Sequence, residues 1–338
     1  MSEVVRIANI EVRKGEKKTG YIDVGETAVE RVRIPVAIVN GAKQGPTLCI
    51  SGGVHGCEYS SIEAVVRTLR QTDPPKLSGK LLIVPVLNMA GFDARGPQGG
   101  MSTPFLNPID NLNLNRIFPG NPDGTMSYQI AAAFMTQVVA KADYYVDCHG
   151  GDLNEELSSY VIVAQTGDGE KDRIAKEVLA RSFDCEFMAI SGGGGGSIES
   201  ASKMYGKPAI VVEAGGYGRL EEDAVQFIVK GITNIMKKLK MIDGTPTPTR
   251  SQKVRQRWMV YAKRGGLLYT PPLGTKVKRG EKVGEVRNVF GELLETLEAP
   301  VDGVVTFRRS PFPASTNDRA FGVFPHEDLP APKARPYP

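Results

Sequence analysis

Between Val4 and about Val54, apolar positions alternate with polar ones or gather into short β-branched runs: VVRIANIEV, ERVRIPVAIVN and TLCISGG. Gly and Lys turns separate them, a pattern that predicts strands. After Gly53 the period changes. In SSIEAVVRTLRQT, Ile62, Val65, Val66 and Leu69 recur at helical spacing, and the pattern stops at Asp73-Pro74-Pro75. KLLIVPVLN then has the continuous apolar character of a buried strand. Strand, loop, helix and strand make a crossover unit, the building block of a parallel sheet with helices on its faces.

Residues 88–126 are rich in Gly, Pro, Asn and Asp and show no period, and long loops of this kind inside a domain are usually functional. Alternation resumes with helix YQIAAAFMTQVVAKA, strands YYVDCHGG and SSYVIVAQT, and helix DRIAKEVLARS. A loop SGGGGGS follows, then helix SIESASKMYG, strand PAIVVEAGG and helix EEDAVQFIVKGITNIMKKLK. The expected fold over residues 1–243 is therefore α/β, a mixed, largely parallel sheet with helices on both faces. Pro and Thr in DGTPTPTRSQ break the alternation and mark a linker at 244–252. From 253 to 338 short strands divided by Gly and Pro turns predict a small all-β domain. Its GTKVKRGEKVGEV and LEAPVDGVV resemble a biotinyl/lipoyl-type β-hammerhead. Carrier domains of that type present a modifiable Lys on a hairpin, and RNVFGELLE has none, so the resemblance implies the fold without the prosthetic group.

Composition narrows the classes. The 338 residues are 41% hydrophobic and 24% charged, which excludes a disordered chain and suits one large domain plus one small one. With a net charge of +4 and no long basic run, neither nucleic acid nor an anionic membrane is an expected partner. The N-terminal MSEVVRIANIEVRKGEKK has no signal-like apolar core, and no apolar stretch reaches the roughly 18 residues of a membrane span. Cys49, Cys57, Cys148 and Cys185 are far apart and form no CxxC pair. Reduced, buried thiols in a cytoplasmic protein are the expectation.

The three histidines carry the chemical information. His55 and Glu58, in GGVHGCEYS, leave a strand and enter a helix, and His149, in YYVDCHGG, leaves a second strand at the same kind of edge. Glu213, in AIVVEAGG, ends a third. Two imidazoles and one carboxylate meet the three-ligand pattern of catalytic zinc, with the fourth position left for water, and Glu213 is then a spare carboxylate able to take that water's proton. Plainer roles stay open: a His at a strand end commonly hydrogen-bonds its loop, and Glu213 could cap a turn or pair with an Arg. His326, in FPHEDLP, is expected on the surface. In DNLNLNRIFPG, Asn113, Asn115 and Arg116 cluster, and a guanidinium beside an amide reads a carboxylate, although Asn-rich loops also bond their own backbone. The run Gly192–Gly196 is either a close-approach loop or a flexible connector, and it lacks the pattern of a nucleotide loop.

HGCE, NLNRIFPG, DCHGG and VVEAGG, in that order, resemble the succinylglutamate desuccinylase/aspartoacylase family, a branch of the zinc carboxypeptidase-like fold. The resemblance spans about residues 45–240, and the all-β tail is similar to that family's second domain. It implies one Zn2+ per chain held by His55, Glu58 and His149, Glu213 as general base and acid, and Asn115 and Arg116 on a substrate carboxylate. Members often carry an Arg shortly before the P-x-D of the loop to polarise the scissile carbonyl; TPFLNPID puts Phe105 at or near that place, which leaves Arg95 as the nearest upstream candidate. The implied activity is deacylation of a small N-acylated amino acid or amine. A carboxypeptidase acting on short peptides would use the same residues, and a non-catalytic binding protein is the alternative of another class. Cobalt or manganese would also suit the ligands, and a homo-oligomer is compatible with everything above.

Overall fold

A computed structural model of the chain describes residues 4–94, 105–192, 195–309 and 313–329. The N-terminal strands are β1 (Val4–Ile7), β2 (Ile10–Arg13), β3 (Glu16–Glu26), β4 (Arg31–Asn40) and β5 (Lys43–Gly52). Next come α1 (Tyr59–Gln71), β6 (Ser78–Val84), the short α2 (Met89–Asp93), α3 (Met126–Gln137), β7 (Tyr144–His149) and β8 (Glu155–Val163). The alternation ends with α4 (Gly169–Arg173), β9 (Phe187–Ile190), α5 (Ser197–Tyr205), β10 (Ala209–Gly216) and α6 (Glu222–Lys238). After the linker the described residues form strands alone: β11 (Lys253–Val254), β12 (Trp258–Tyr261), β13 (Gly266–Tyr269), β14 (Lys276–Val277) and β15 (Lys282–Arg287). The last four are β16 (Leu293–Glu298), β17 (Gly303–Arg309), β18 (Pro313–Ala314) and β19 (Arg319–Pro325).

The main sheet runs β12-β19-β17-β8-β10-β7-β5-β6-β4-β3. Its centre, β10-β7-β5-β6, is parallel, and β8, β4 and β3 add antiparallel strands on either side. Helices cover both faces, as expected from the alternating pattern. Val146, Cys148, Ile210 and Val212 pack into one core with α1 and α6, whereas Tyr145 and Val211 pack into a second with α3 and α5. Strand alternation makes this division: successive side chains point to opposite faces.

Three local features departed from the sequence pattern. β3, EKKTGYIDVGE, is a polar strand at the sheet's end, and its exposure hides it from a search for apolar runs. DRIAKEVLARS is helical but changes from an α turn at Gly169–Arg173 to a π segment at Ile174–Leu179 and a 3-10 turn at Ala180–Ser182. The irregular segment at 88–126 contains α2 and a 3-10 turn at Leu114–Arg116.

The C-terminal strands join the main sheet. β17 pairs antiparallel with β8, matching Phe307 to Leu157, Arg308 to Glu156 and Arg309 to Glu155. A small buried cluster of Leu157, Tyr160, Phe187, Ala189, Phe307 and Phe324 seals the junction. Phe324 is fully buried, stacked on Phe187 with ring centroids 4.7 Å apart and edge-on to Tyr160 at 5.5 Å. Around it, Arg308 meets Glu156 at 2.7 Å and Arg319 meets Glu155 at 2.8 Å. Partly exposed pairs of this kind add little beside the apolar burial. Phe324→Ala is therefore expected to cost about 3–5 kcal/mol, measured by denaturant unfolding of the full chain.

Candidate active site

Three strands deliver the site in one row. Glu213 on β10 is in register with His149 on β7 and with Tyr160 on β8. Register partners project to the same face of a sheet, with strands about 4.8 Å apart. The face is the one covered by α3 and α5, because Tyr145 and Val211, two residues before His149 and Glu213 or a multiple of two, point into that core. A bulge between Glu213 and Gly215 turns the strand end, a common device for re-aiming a side chain beside a site.

His55 and Glu58 come from the turn that leaves β5. Gly53 has φ +62°, and a Cβ there would lie 2.9 Å from Val86 Cα; at Gly56 it would lie 2.2 Å from the Phe92 backbone nitrogen. Glycine is needed for both the conformation and the close approach. Glu58 stands at the N-cap of α1, yet its side chain makes no capping bond. Its carboxylate enters the site instead, with Oε1 2.7 Å from His55 Nδ1 and Oε2 3.1 Å from His149 Nδ1.

The outer nitrogens of both imidazoles are engaged. His55 Nε2 lies 3.1 Å from Asn113 Oδ1, and His149 Nε2 lies 3.1 Å from Asp147 Oδ2. Asn113 Oδ1 also accepts from the Asn115 backbone N–H at 2.8 Å, which fixes the amide's orientation. With acceptors on both outer nitrogens, a neutral ring that keeps its proton on Nε2 would turn its Nδ1 lone pair toward Glu58. Glu58 Oε2 is buried without a hydrogen-bond partner among the described residues, so its contact with His149 lacks hydrogen-bond alignment. Two imidazoles converging on one buried carboxylate call for positive charge at the centre, and the ligand atoms of His55, Glu58 and His149 all lie within 4.8 Å of one another. Donors and orphaned oxygen thus fit a metal ion. Without one, protons supply the charge. Burial opposes ionisation of both groups, but His149 and His55 bring the Glu58 carboxyl down to about 2, and Asp147 and Glu58 raise His149 well above its ordinary value.

Asp147 orients His149. It is fully buried and accepts from Ser51 Oγ at 2.6 Å and from Ser197 Oγ. Burial would raise its carboxyl, but His149 and the two hydroxyls outweigh that and hold it below the ordinary range. Glu213 is treated oppositely. Its Oε2 is buried without a hydrogen-bond partner among the described residues. Burial pushes its carboxyl up to about 8, with His149 and Arg257 pulling down and Glu58 pushing up. Two carboxyls one strand apart are held in different protonation regimes, the usual mark of an acid-base site.

Of the other residues singled out from sequence, Asn115 is tied to α5, its Oδ1 accepting from the Ser197 backbone N–H at 3.2 Å. Arg116 is exposed and donates from Nη1 to the Asn115 carbonyl at 2.8 Å. Asn113, rather than Asn115, touches the His55 imidazole. A Cβ on Gly196 would lie 2.8 Å from Asn115 Oδ1, which makes this end of the glycine run a close-approach segment. Phe105 stacks on His55 with centroids 4.0 Å apart and planes at 19°. Arg95 lies outside the described residues. His326 is exposed, as expected, and the four cysteines are free and buried. Sequence reasoning passed over Asp147, although its place two residues before His149 in DCH was a usable signal. Ser51, Ser197, Tyr160 and Arg257 gave no signal, because only long-range packing brings them here.

Fold and donors together define a sheet-edge His-Glu-His centre with a separate acid beside it. Residues 44–239 match the model of the succinylglutamate desuccinylase/aspartoacylase catalytic domain, and the chain belongs to that family. It is 30% identical over 302 residues to N-alpha-acetyl-L-2,4-diaminobutyric acid deacetylase of Halomonas elongata, covering 86% of this chain and 85% of that one. Among solved structures, a succinylglutamate desuccinylase/aspartoacylase from Rhodobacter sphaeroides aligns with a TM-score of 0.80 at 27% identity, covering 93% of this chain and 96% of that one. The product-bound ectoine utilization protein EutE (DoeB) of Ruegeria pomeroyi shares the fold, with a TM-score of 0.81 at 24% identity over 91% and 95% of the two chains. No helix among the described residues is long and apolar enough to cross a membrane.

Asp147→Asn is expected to weaken metal binding roughly 10- to 100-fold, the usual effect of losing an outer carboxylate on a ligand imidazole. Competition with a chromogenic chelator measures it, and unaltered affinity would remove Asp147 from this role.

Proposed function

We propose that the chain is a zinc-dependent hydrolase that cleaves the amide bond of an N-acyl amino acid or a related small N-acylated amine. The observation that carries this reading is the convergence of two imidazole Nδ1 atoms and the orphaned Glu58 Oε2, with Glu213 in register beside His149. Family membership and the deacetylase named above support an acylated amino acid as substrate. The free, buried cysteines are compatible with the cytoplasm.

His55, Glu58 and His149 would hold one zinc ion. When bound, the ion polarises the scissile carbonyl and acidifies water. The chain's own residues handle proton and orientation. Glu213 accepts the proton of the attacking water as the new C–O bond forms, then delivers it to the amide nitrogen as the C–N bond breaks. The second proton of the water passes to the amine, so the products are a carboxylate and an ammonium, and Glu213 ends as it began. Asp147 and Asn113 hold the imidazoles at fixed angles, so the site is set before substrate arrives. Asn115 and Arg116 would seat a substrate carboxylate. Arg95 is assigned the scissile carbonyl oxygen.

The test is amine release from N-acetyl and N-succinyl amino acids and from short peptides by the zinc-loaded chain. Release from acylated amino acids is expected, and activity confined to peptide C-termini would make the protein a carboxypeptidase. Glu213→Gln should keep stoichiometric zinc while kcat falls about 10²- to 10⁴-fold. Arg116→Ala is expected to raise KM for carboxylate-bearing substrates and to spare the corresponding carboxamides; equal loss on both would end its assignment.

A further inference from the structure

We infer that Arg257, delivered by the segment that follows the linker, is a carboxylate seat of the catalytic cleft. This rests on the deacylase reading and adds a specificity-determining residue to it. The position precedes β12, well beyond His55, Glu58, His149 and Glu213 in the chain.

The guanidinium of Arg257 lies over the Tyr160 ring at 4.3 Å, with Phe324 at 5.0 Å and Phe307 at 5.7 Å. Its stem rests on Gly322, where a Cβ would come within 2.6 Å of Arg257 Cδ. Tyr160 is in turn the register partner of Glu213. Along the sheet edge the order is thus His149, Glu213, then Tyr160 with Arg257 above it. The charge of Arg257 reaches Glu213, drawing its carboxyl down against burial.

Among the described residues Arg257 has Tyr160 beside it and no carboxylate partner. Nε and Nη2 are both buried without a hydrogen bond among the described residues. Nearby, Arg308 has Glu156 at 2.7 Å, Arg309 has Asp318 at 3.1 Å and Arg319 has Glu155 at 2.8 Å. Aromatic faces attract a cation, but they do not satisfy its N–H groups, and an uncompensated buried charge is costly. Nε and Nη2 form one edge of the planar guanidinium, the side-on fork that fits both oxygens of a carboxylate. A single oxygen would satisfy only half of it. Glu213 Oε2, the other orphan, is one strand away and makes no hydrogen bond to it. The two groups are neighbours kept from pairing, and a substrate carboxylate completes Arg257 without consuming Glu213. Arg116, by contrast, is exposed on the loop beside His55, three strands across the sheet order from β8.

Binding of succinate and of neutral succinamide to the zinc-loaded full chain, measured by calorimetry, tests the seat. Arg257→Met keeps the stem on Gly322 and the rings while removing the fork. Succinate affinity is expected to fall roughly 10- to 100-fold in Arg257→Met, as for loss of a charged hydrogen-bonded pair, to recover in part in Arg257→Lys, and succinamide binding is expected to stay as it was. The same variants should raise KM for N-succinyl amino acids more than they lower kcat, with zinc content and unfolding midpoint retained. Succinate binding by Arg257→Met at wild-type strength overturns the inference, and so does an equal loss for succinate and succinamide, which is the signature of a merely structural stack. If the chain releases amine while Arg257→Met binds succinate normally, only the seat fails. If it binds succinate through Arg257 but releases no amine from any acylated amino acid, only the deacylase reading fails.

Discussion

The site depends first on strand register. His149, Glu213 and Tyr160 stand abreast because β7, β10 and β8 pair in that alignment, and a slip of one residue would turn every side chain of a strand to the other face. The apolar residues hold the alignment. Ile210, Val212 and Ala214 are buried in the core beneath α1 and α6, while Val211 is buried in the core beneath α3 and α5. Glu213 falls on the second face by alternation alone. Its carboxyl, pushed up to about 8 by burial, is an energetic burden that the two cores on either side can carry, since their alternating positions leave β10 no other register.

Polar groups at the centre divide into satisfied and unsatisfied sets. Asp147 has His149, Ser51 and Ser197, and Asn113 has His55 and the Asn115 backbone. These groups are rigid because every lone pair they turn inward is used. Glu58 Oε2, Glu213 Oε2 and the Nε and Nη2 of Arg257 are not satisfied. Buried orphans are uncommon in folded proteins, and these four atoms belong to residues that border one short row at the sheet edge. Held surroundings and unsatisfied centres are what a preorganised site requires, with the missing partners supplied by the ligand.

The amino-acid pattern made much of this legible. Periods of two and 3.6 residues distinguished strand TLCISGG from helix SSIEAVVRTLRQT, and the placement of His55, Glu58, His149 and Glu213 at strand ends followed from Gly-flanked turns. Short-range signals were enough there, since each residue's position depends on its own strand. β3 escaped because an exposed polar strand leaves no apolar run, and β9 because four residues give too short a period. Arg257 escaped for a different reason. It reaches the site only because β12, β19 and β17 extend the sheet from β8, and the pairing of β17 with β8, which no local pattern encodes, joins segments far apart in the chain.

That extension explains why the C-terminal strands matter to the chemistry. The outer edge of β8 is shared: Val161–Val163 pair with β9, and Glu155–Leu157 pair with β17. Tyr160 sits at the changeover, and β17 and β19 supply the Phe307 and Phe324 that close over it. Without them the lower half of β8 would be an open strand edge, and Glu155 would lose Arg319. Burial already raises the Glu155 carboxyl, with Arg319 opposing and the neighbouring acids, Glu58 among them, adding to it. An unpaired Glu155 would either take up a proton or add negative charge beside Glu58, and both change the field at the cluster of His55, Glu58 and His149. The tail thus sets the polarity of the Glu213 side of the site as well as covering it, so the sheet's continuity across the linker is an electrostatic constraint on the centre and not only a mechanical one.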